Sequence, residues 1–165
     1  MAGEMSIKIY EGKTYTPSAT NTVKKSGNDP LIEIQKGSPP FPLLKFKIYK
    51  SQLAVLQELA FVNNMKAEDF LSGQFSEHAH IVVLKGYITR LDLDMTAIND
   101  IRPLRGNGLS KLRKAHFRHT ELSDISPLEG STNLRELRVE GSKVTKEQAQ
   151  ALKKKLPQLY IDILH

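Results

Sequence analysis

One pattern of apolar, Thr, Asp, Pro and Gly residues occurs twice in this chain at a spacing of 24 residues. The first copy carries Leu91, Leu93, Thr96, Ile98, Asp100, Ile101, Pro103, Leu104 and Gly106. The second opens at Leu112 and carries Ala115, Phe117, Thr120, Leu122, Asp124, Ile125, Pro127, Leu128 and Gly130. A shorter third copy has Leu134, Leu137, Val139, Ser142 and Val144, and Ile161 and Ile163 follow Leu137 and Val139 by the same 24 residues. A period in the twenties means that one small unit, unable to bury its apolar face alone, stacks on its neighbours. The fold class expected is α/β: a short solenoid of about four parallel strands.

Each position has a physical reason. The paired apolar residues, as in Leu91 and Leu93, alternate along a strand and point inward. Thr96, Thr120 and Ser142 follow the strand, where a hydroxyl can bond turn backbone. Asp100 and Asp124 are placed to accept N–H groups as a short helical turn begins, and Pro103 and Pro127 suit a first turn, where no donor is needed. Gly106 and Gly130 are expected to take a positive φ before the next strand. The last unit differs: Thr145 and Gln148 form a capping box for a helix from Lys146 to about Lys155, which Pro157 ends.

The repeats occupy residues 81–165, and residues 1–80 read as a small α+β segment that caps them. Ser6–Tyr10, Leu31–Gln35, Leu44–Tyr49 and His80–Leu84 read as strands. Gly12–Pro30, rich in small polar residues, reads as a loop. Ser51 is expected to cap a helix that Asn63 and Asn64 end, with a second helix from about Lys66 to Glu77. At 39% apolar residues the chain is able to build a core. It has no cysteine, which removes thiol catalysis, disulfides and thiolate metal sites. The start lacks the apolar run of a signal peptide, and no stretch is long enough to span a membrane, so a cytoplasmic location is expected. The net charge of +6 suits an acidic protein or a nucleic acid equally.

Over about residues 81–163 the chain resembles the leucine-rich repeat family, and its spacing is similar to bacterial, internalin-like repeats. The closing stretch from Val144 to Ile161 looks like the last unit of short bacterial members. Ala115 and Phe117 stand where leucines are usual, and Thr or Ser replaces the Asn of many such repeats. The resemblance implies a non-catalytic protein-binding module whose partner, an unidentified protein, docks on the concave sheet face. The residues placed there are Arg90, Asp92, Lys114, His116, Arg118, Arg138 and Tyr160, with Asp94, Glu136, Glu140 and Asp162 beside them. Two lateral rows are expected: Asp92, His116, Arg138, Tyr160, and Asp94, Arg118, Glu140, Asp162. Their charges alternate, so self-pairing is the competing reading. Arg118 is the first choice for a contact residue, with charge reversal expected to weaken binding without lowering the melting temperature.

Residues 43–78 also resemble a ribbon-helix-helix unit, through the strand Leu44–Tyr49 and the two helices after it. That resemblance implies DNA binding by Lys45, Lys47 and Tyr49 as the alternative function. Enzyme motifs and phosphate loops are absent, so no catalytic residue and no cofactor is expected. No metal site is expected either, because His116 and His119 would point to opposite faces of a strand and His78 and His80 lack an acidic neighbour.

Overall fold

The computed structural model describes residues 6–9, 29–36, 44–67, 70, 79–106 and 108–163. Among these the chain is mixed α/β, with two sheets and two helices. An antiparallel sheet runs β1 (Ser6–Ile9), β2 (Leu31–Lys36), β3 (Leu44–Tyr49), and α1 (Lys50–Val62) continues directly from β3. The second sheet has five strands, ordered β4 (Ala79–Leu84), β5 (Tyr87–Leu93), β6 (Lys114–His116), β7 (Glu136–Arg138), β8 (Tyr160–Asp162). β4 and β5 are antiparallel and the remaining pairs are parallel. α2 (Lys146–Lys155) packs beside β8.

The parallel register explains the repeat. Arg90 pairs with Lys114, Lys114 with Glu136, and Glu136 with Tyr160, so successive strands lie 24, 22 and 24 residues apart. Leu91, Leu93, Ala115, Phe117, Leu137 and Val139 are fully buried on the inner side. Between strands the chain returns through the 3-10 turns Arg102–Leu104 and Ser126–Gly130, with Pro103 and Pro127 in their first turns and Leu104 and Leu128 buried. The hydroxyls act as expected: Thr96, Thr120 and Ser142 donate to the carbonyls of Leu93, Phe117 and Val139 at 2.7, 2.7 and 2.6 Å. Asp100 and Asp124 each accept the N–H two residues on, at 2.9 Å.

The positive φ of each repeat lies elsewhere than expected. It falls on Met95, His119 and Gly141, directly after the strand turn, at 56°, 53° and 67°. Gly106 does have a positive φ, but Gly130 belongs to its 3-10 turn. Gly141 has a steric reason as well, since a Cβ there would lie 2.3 Å from Nδ1 of His119, whose ring covers it. A second glycine requirement joins the two sheets. The carbonyl of Gly86, at φ +83°, accepts the Tyr49 N–H at 2.9 Å, and a Cβ on Gly86 would meet Leu31 and Tyr49 at 2.7 and 2.8 Å.

One core runs through both parts, from Ile32, Ile34 and Ile48 through α1 to Leu159. The expected division between residues 80 and 81 falls inside β4. Two buried amides fasten α1 to the repeats. Gln52 accepts the Ile88 N–H at 3.1 Å and donates to Gly108 O at 3.3 Å. Asn63, 5% exposed, donates to the carbonyls of Leu59 and Asp100 at 2.8 and 2.7 Å and accepts from the N–H groups of Asn99 and Asp100 at 2.8 and 2.9 Å. Asn63 thus ends α1 and clamps it to the first return path at once, whereas its neighbour Asn64 only makes the turn, at φ 54°.

The start of α1 differs from expectation. Ser51 is not its cap. The helix begins at Lys50 with Tyr49 in the cap position, and the carboxylate of Asp29 accepts both the Ser51 N–H, at 2.9 Å, and the Ser51 hydroxyl. A carboxylate at a helix start satisfies an orphan donor and suits the dipole, so a residue assigned to the preceding loop performs the capping. α2 matches its reading: Thr145 Oγ1 accepts the Gln148 N–H at 3.3 Å, and Gln148 Oε1 accepts the Thr145 N–H at 2.9 Å. Of the second helix, Lys66–Glu77, residues 68–69 and 71–77 lie outside the described residues, as does His78, while Phe70 is fully buried. Among the described residues no helix is long and apolar enough to cross a membrane.

Candidate interaction face

The side chains that alternate with the buried apolar pairs share one face of the five-stranded sheet. Its floor is acidic and buried, and its surface is basic. Asp92 and Asp94 are 6% and 5% exposed. Asp94 accepts the backbone N–H of Arg118 at 2.7 Å, and the other oxygen takes the guanidinium through Nε at 2.7 Å and Nη2 at 2.6 Å. This fork raises the Arg118 pKa further above its usual value, chiefly through the hydrogen bonds to Asp94. Asp92 takes Arg90 Nη2 at 2.9 Å. Glu136 is held by Lys114 at 2.8 Å and by Arg138 Nε at 2.7 Å. The hydrogen bond from Lys114 is the first cause, with Arg138 adding to it, that pushes the Glu136 pKa down to about 2 in spite of its burial.

His116 joins the two halves of the network. It is 4% exposed, with Nδ1 3.4 Å from Asp92 and Nε2 3.2 Å from Glu136. Arg90 Nη2 lies 3.5 Å from the same Nδ1. An imidazolium would donate to both carboxylates; a neutral ring protonated on Nε2 would donate to Glu136 and accept from Arg90. Arg90 Nε is buried and has no hydrogen-bond partner among the described residues.

The register corrects the expected rows. Asp162, not Tyr160, continues the row Asp92, His116, Arg138, and Tyr160 stands opposite Glu136 in the row Arg90, Lys114, Glu136. Asp92 and His116 do not project as contact groups, because both are buried and serve to hold the cations. The groups that reach solvent are Arg90, Lys114, Arg118 and Arg138, with side chains 35%, 50%, 37% and 37% exposed, and Tyr160 at 59%. The expected effect of reversing Arg118 also changes. A glutamate there would set a like charge against buried Asp94 and remove the donors that satisfy it, so the melting temperature would fall.

Val82 and Leu84 were missed. They are 37% and 61% exposed and lie on the same face, since Val82 pairs with Arg90 and Leu84 with Tyr87 across a bulge. The run of apolar residues in β4 conceals its alternation; only pairing with Arg90 shows which of them face out. Asp92, Asp94 and His116 are also the one set of acids and histidines, among the described residues, whose ligand atoms come within 4.8 Å of one another. Their lone pairs already face the guanidinium groups of Arg90 and Arg118, which take the place a cation would need.

For the alternative surface, Lys47 is exposed, Lys45 is placed on β3 opposite Gln35, and Tyr49 is half-buried with its ring 4.6 Å from that of Tyr87. β3 pairs with β2 along its whole length. No protein-family model matches the chain, and no curated protein matches it.

Proposed function

We propose that this chain is a non-catalytic protein-binding module built as a short leucine-rich repeat solenoid, with β1–β3 and α1 closing its first end and α2 with β8 its last. Its docking surface is the face that carries Arg90, Lys114, Arg118, Arg138 and Tyr160. The observation that carries this reading is the half-exposed cations seated on the buried carboxylates of Asp92 and Asp94 and on half-buried Glu136. A guanidinium fixed by its own carboxylate has lost its rotamer freedom in advance, so it meets a partner with less entropic cost than a free side chain. Val82 and Leu84 at one edge and Tyr160 at the other add apolar and aromatic area, and Tyr and Arg are the groups that dominate interface energetics.

The test is capture of partners by the immobilised chain from its host. Lys114→Ala and Arg138→Ala each leave Glu136 with the other cation, so both should melt within a few degrees of wild type. Each should recover at least one captured protein about tenfold less. If no captured protein depends on either residue, the face is only a self-paired surface. The DNA-binding alternative keeps the exposure of Lys47 in its favour. It requires duplex retention that falls steeply with salt and is lost in Lys45→Glu with Lys47→Glu.

A further inference from the structure

Among the described residues the five-stranded sheet ends in an open edge at β8. Tyr160 donates its N–H to Arg135 O, and Asp162 O accepts from Val139 N–H, both at 2.9 Å, so these two residues direct their backbone groups to β7. In a parallel ladder the residue between them faces the other way, which leaves the N–H and C=O of Ile161 pointing off the sheet. Beyond this edge lies a groove of about 570 Å³, floored by Ala149, Ile161 and Ile163. It occupies the place where another strand of the array would stack. Ile161 and Ile163 are only partly buried, unlike Leu137 and Val139 one strand earlier, which are fully so.

The rim of the groove is basic. Lys146, Gln150 and Lys153 recur on one face of α2 at spacings of four and three, and Lys154 adjoins them; no acidic side chain lines the groove among the described residues. The helix dipole accounts for Lys153 and Lys154 in the last turn, but not for Lys146, which stands in the first turn, where a cation is disfavoured. Lys153 reaches the carbonyl of Leu159, and the Lys154 ammonium has no hydrogen bond or ion pair with any described residue.

We propose that this end of the sheet binds an extended acidic segment of a partner protein, which adds to β8 as a further strand. Its backbone would pair with Ile161, an apolar side chain on its inner face would cover Ile161 and Ile163, and carboxylates on that same face, two residues to either side, would meet Lys146, Lys153 and Lys154. A second copy of this chain is the wrong occupant, because a two-fold contact through β8 would bring two such lysine rims together. This site is separate from the cations of the sheet face and does not rest on their role.

The test is fluorescence anisotropy of the full chain with a short labelled peptide that carries glutamate, valine and glutamate at alternate positions with serine between them, and with the same peptide carrying lysine for glutamate. The acidic peptide should bind and the basic one should not. Lys154→Glu should weaken binding at least about tenfold, and so should methylation of the peptide's alternate backbone nitrogens, a change that leaves the protein untouched. Ile161→Pro should act likewise, because it removes the outward N–H and part of the groove floor, while Lys114→Ala should leave peptide affinity as it is. Equal binding of the two peptides, no binding of either, or indifference to both Lys154→Glu and backbone methylation would overturn the proposal. So would a concentration-dependent dimer abolished by Ile161→Pro, which would place a second copy in the groove.

Discussion

Asn63→Ala is the sharpest test of how the two parts of the chain are joined. The Asn63 amide makes four hydrogen bonds at 2.7–2.9 Å, two to carbonyls and two from N–H groups, and it is 5% exposed. Truncation strands the carbonyls of Leu59 and Asp100 and the N–H groups of Asn99 and Asp100. A buried polar group left without its partner costs about 1–3 kcal/mol. Asn99 is exposed and Asp100 half-exposed, so water reaches part of the gap, and about two stranded groups remain dry. The loss is therefore roughly 3 kcal/mol, which for a chain of this size lowers the melting temperature by about 6–12 °C. The control is the adjacent Asn64, exposed and at φ 54°, where glycine is at ease. Asn64→Gly should stay within ~0.5 kcal/mol of wild type. Urea and thermal unfolding of both variants decide the matter. If Asn63→Ala loses less than about 1 kcal/mol, or no more than Asn64→Gly, the clamp is not what fastens α1 to the first repeat.

Two further outcomes follow from the same geometry. Met95 is 58% exposed at φ 56°, so Met95→Gly gives up little packing and relieves a left-handed residue; differential scanning calorimetry should show stabilisation of roughly 0.5–1 kcal/mol, and a loss would mean that the Met95 side chain is needed. Glu136 has a folded pKa of about 2 against an ordinary 4.5, so its ion pairs stabilise the fold fully above the ordinary value and lose that contribution as pH falls toward 2. Glu136→Gln should therefore cost about 2–3 kcal/mol near pH 7, less than half of that near pH 3, in urea titrations across that range; a pH-independent difference would refute the linkage.

The repeat was the most legible part of the chain because its signals are local. Thr96, Asp100 and Pro103 each act within two or three residues of themselves, and the Thr145–Gln148 box is complete within one turn. A local bond needs no knowledge of the rest of the fold, so composition and spacing suffice to place it. The face was legible as a set of residues, but its division into buried anchors and exposed groups was not. Asp92 and His116 look as polar in sequence as Arg118. They are buried because strands 22 and 24 residues apart press their side chains beneath the longer arginines.

What the sequence by itself determined is the parallel strand array, its approximate period and its closing helix. Tertiary structure alone decided that Asp29 caps α1 from 22 positions before Ser51, and that Asn63 is a clamp while Asn64 is a turn. It also decided that Val82 and Leu84 lie beside Arg90, and that three lysines of α2 surround an open strand edge. Each of these depends on which backbone groups are left unpaired when distant segments meet. That remainder is a property of the assembled chain and has no spacing of its own along the sequence.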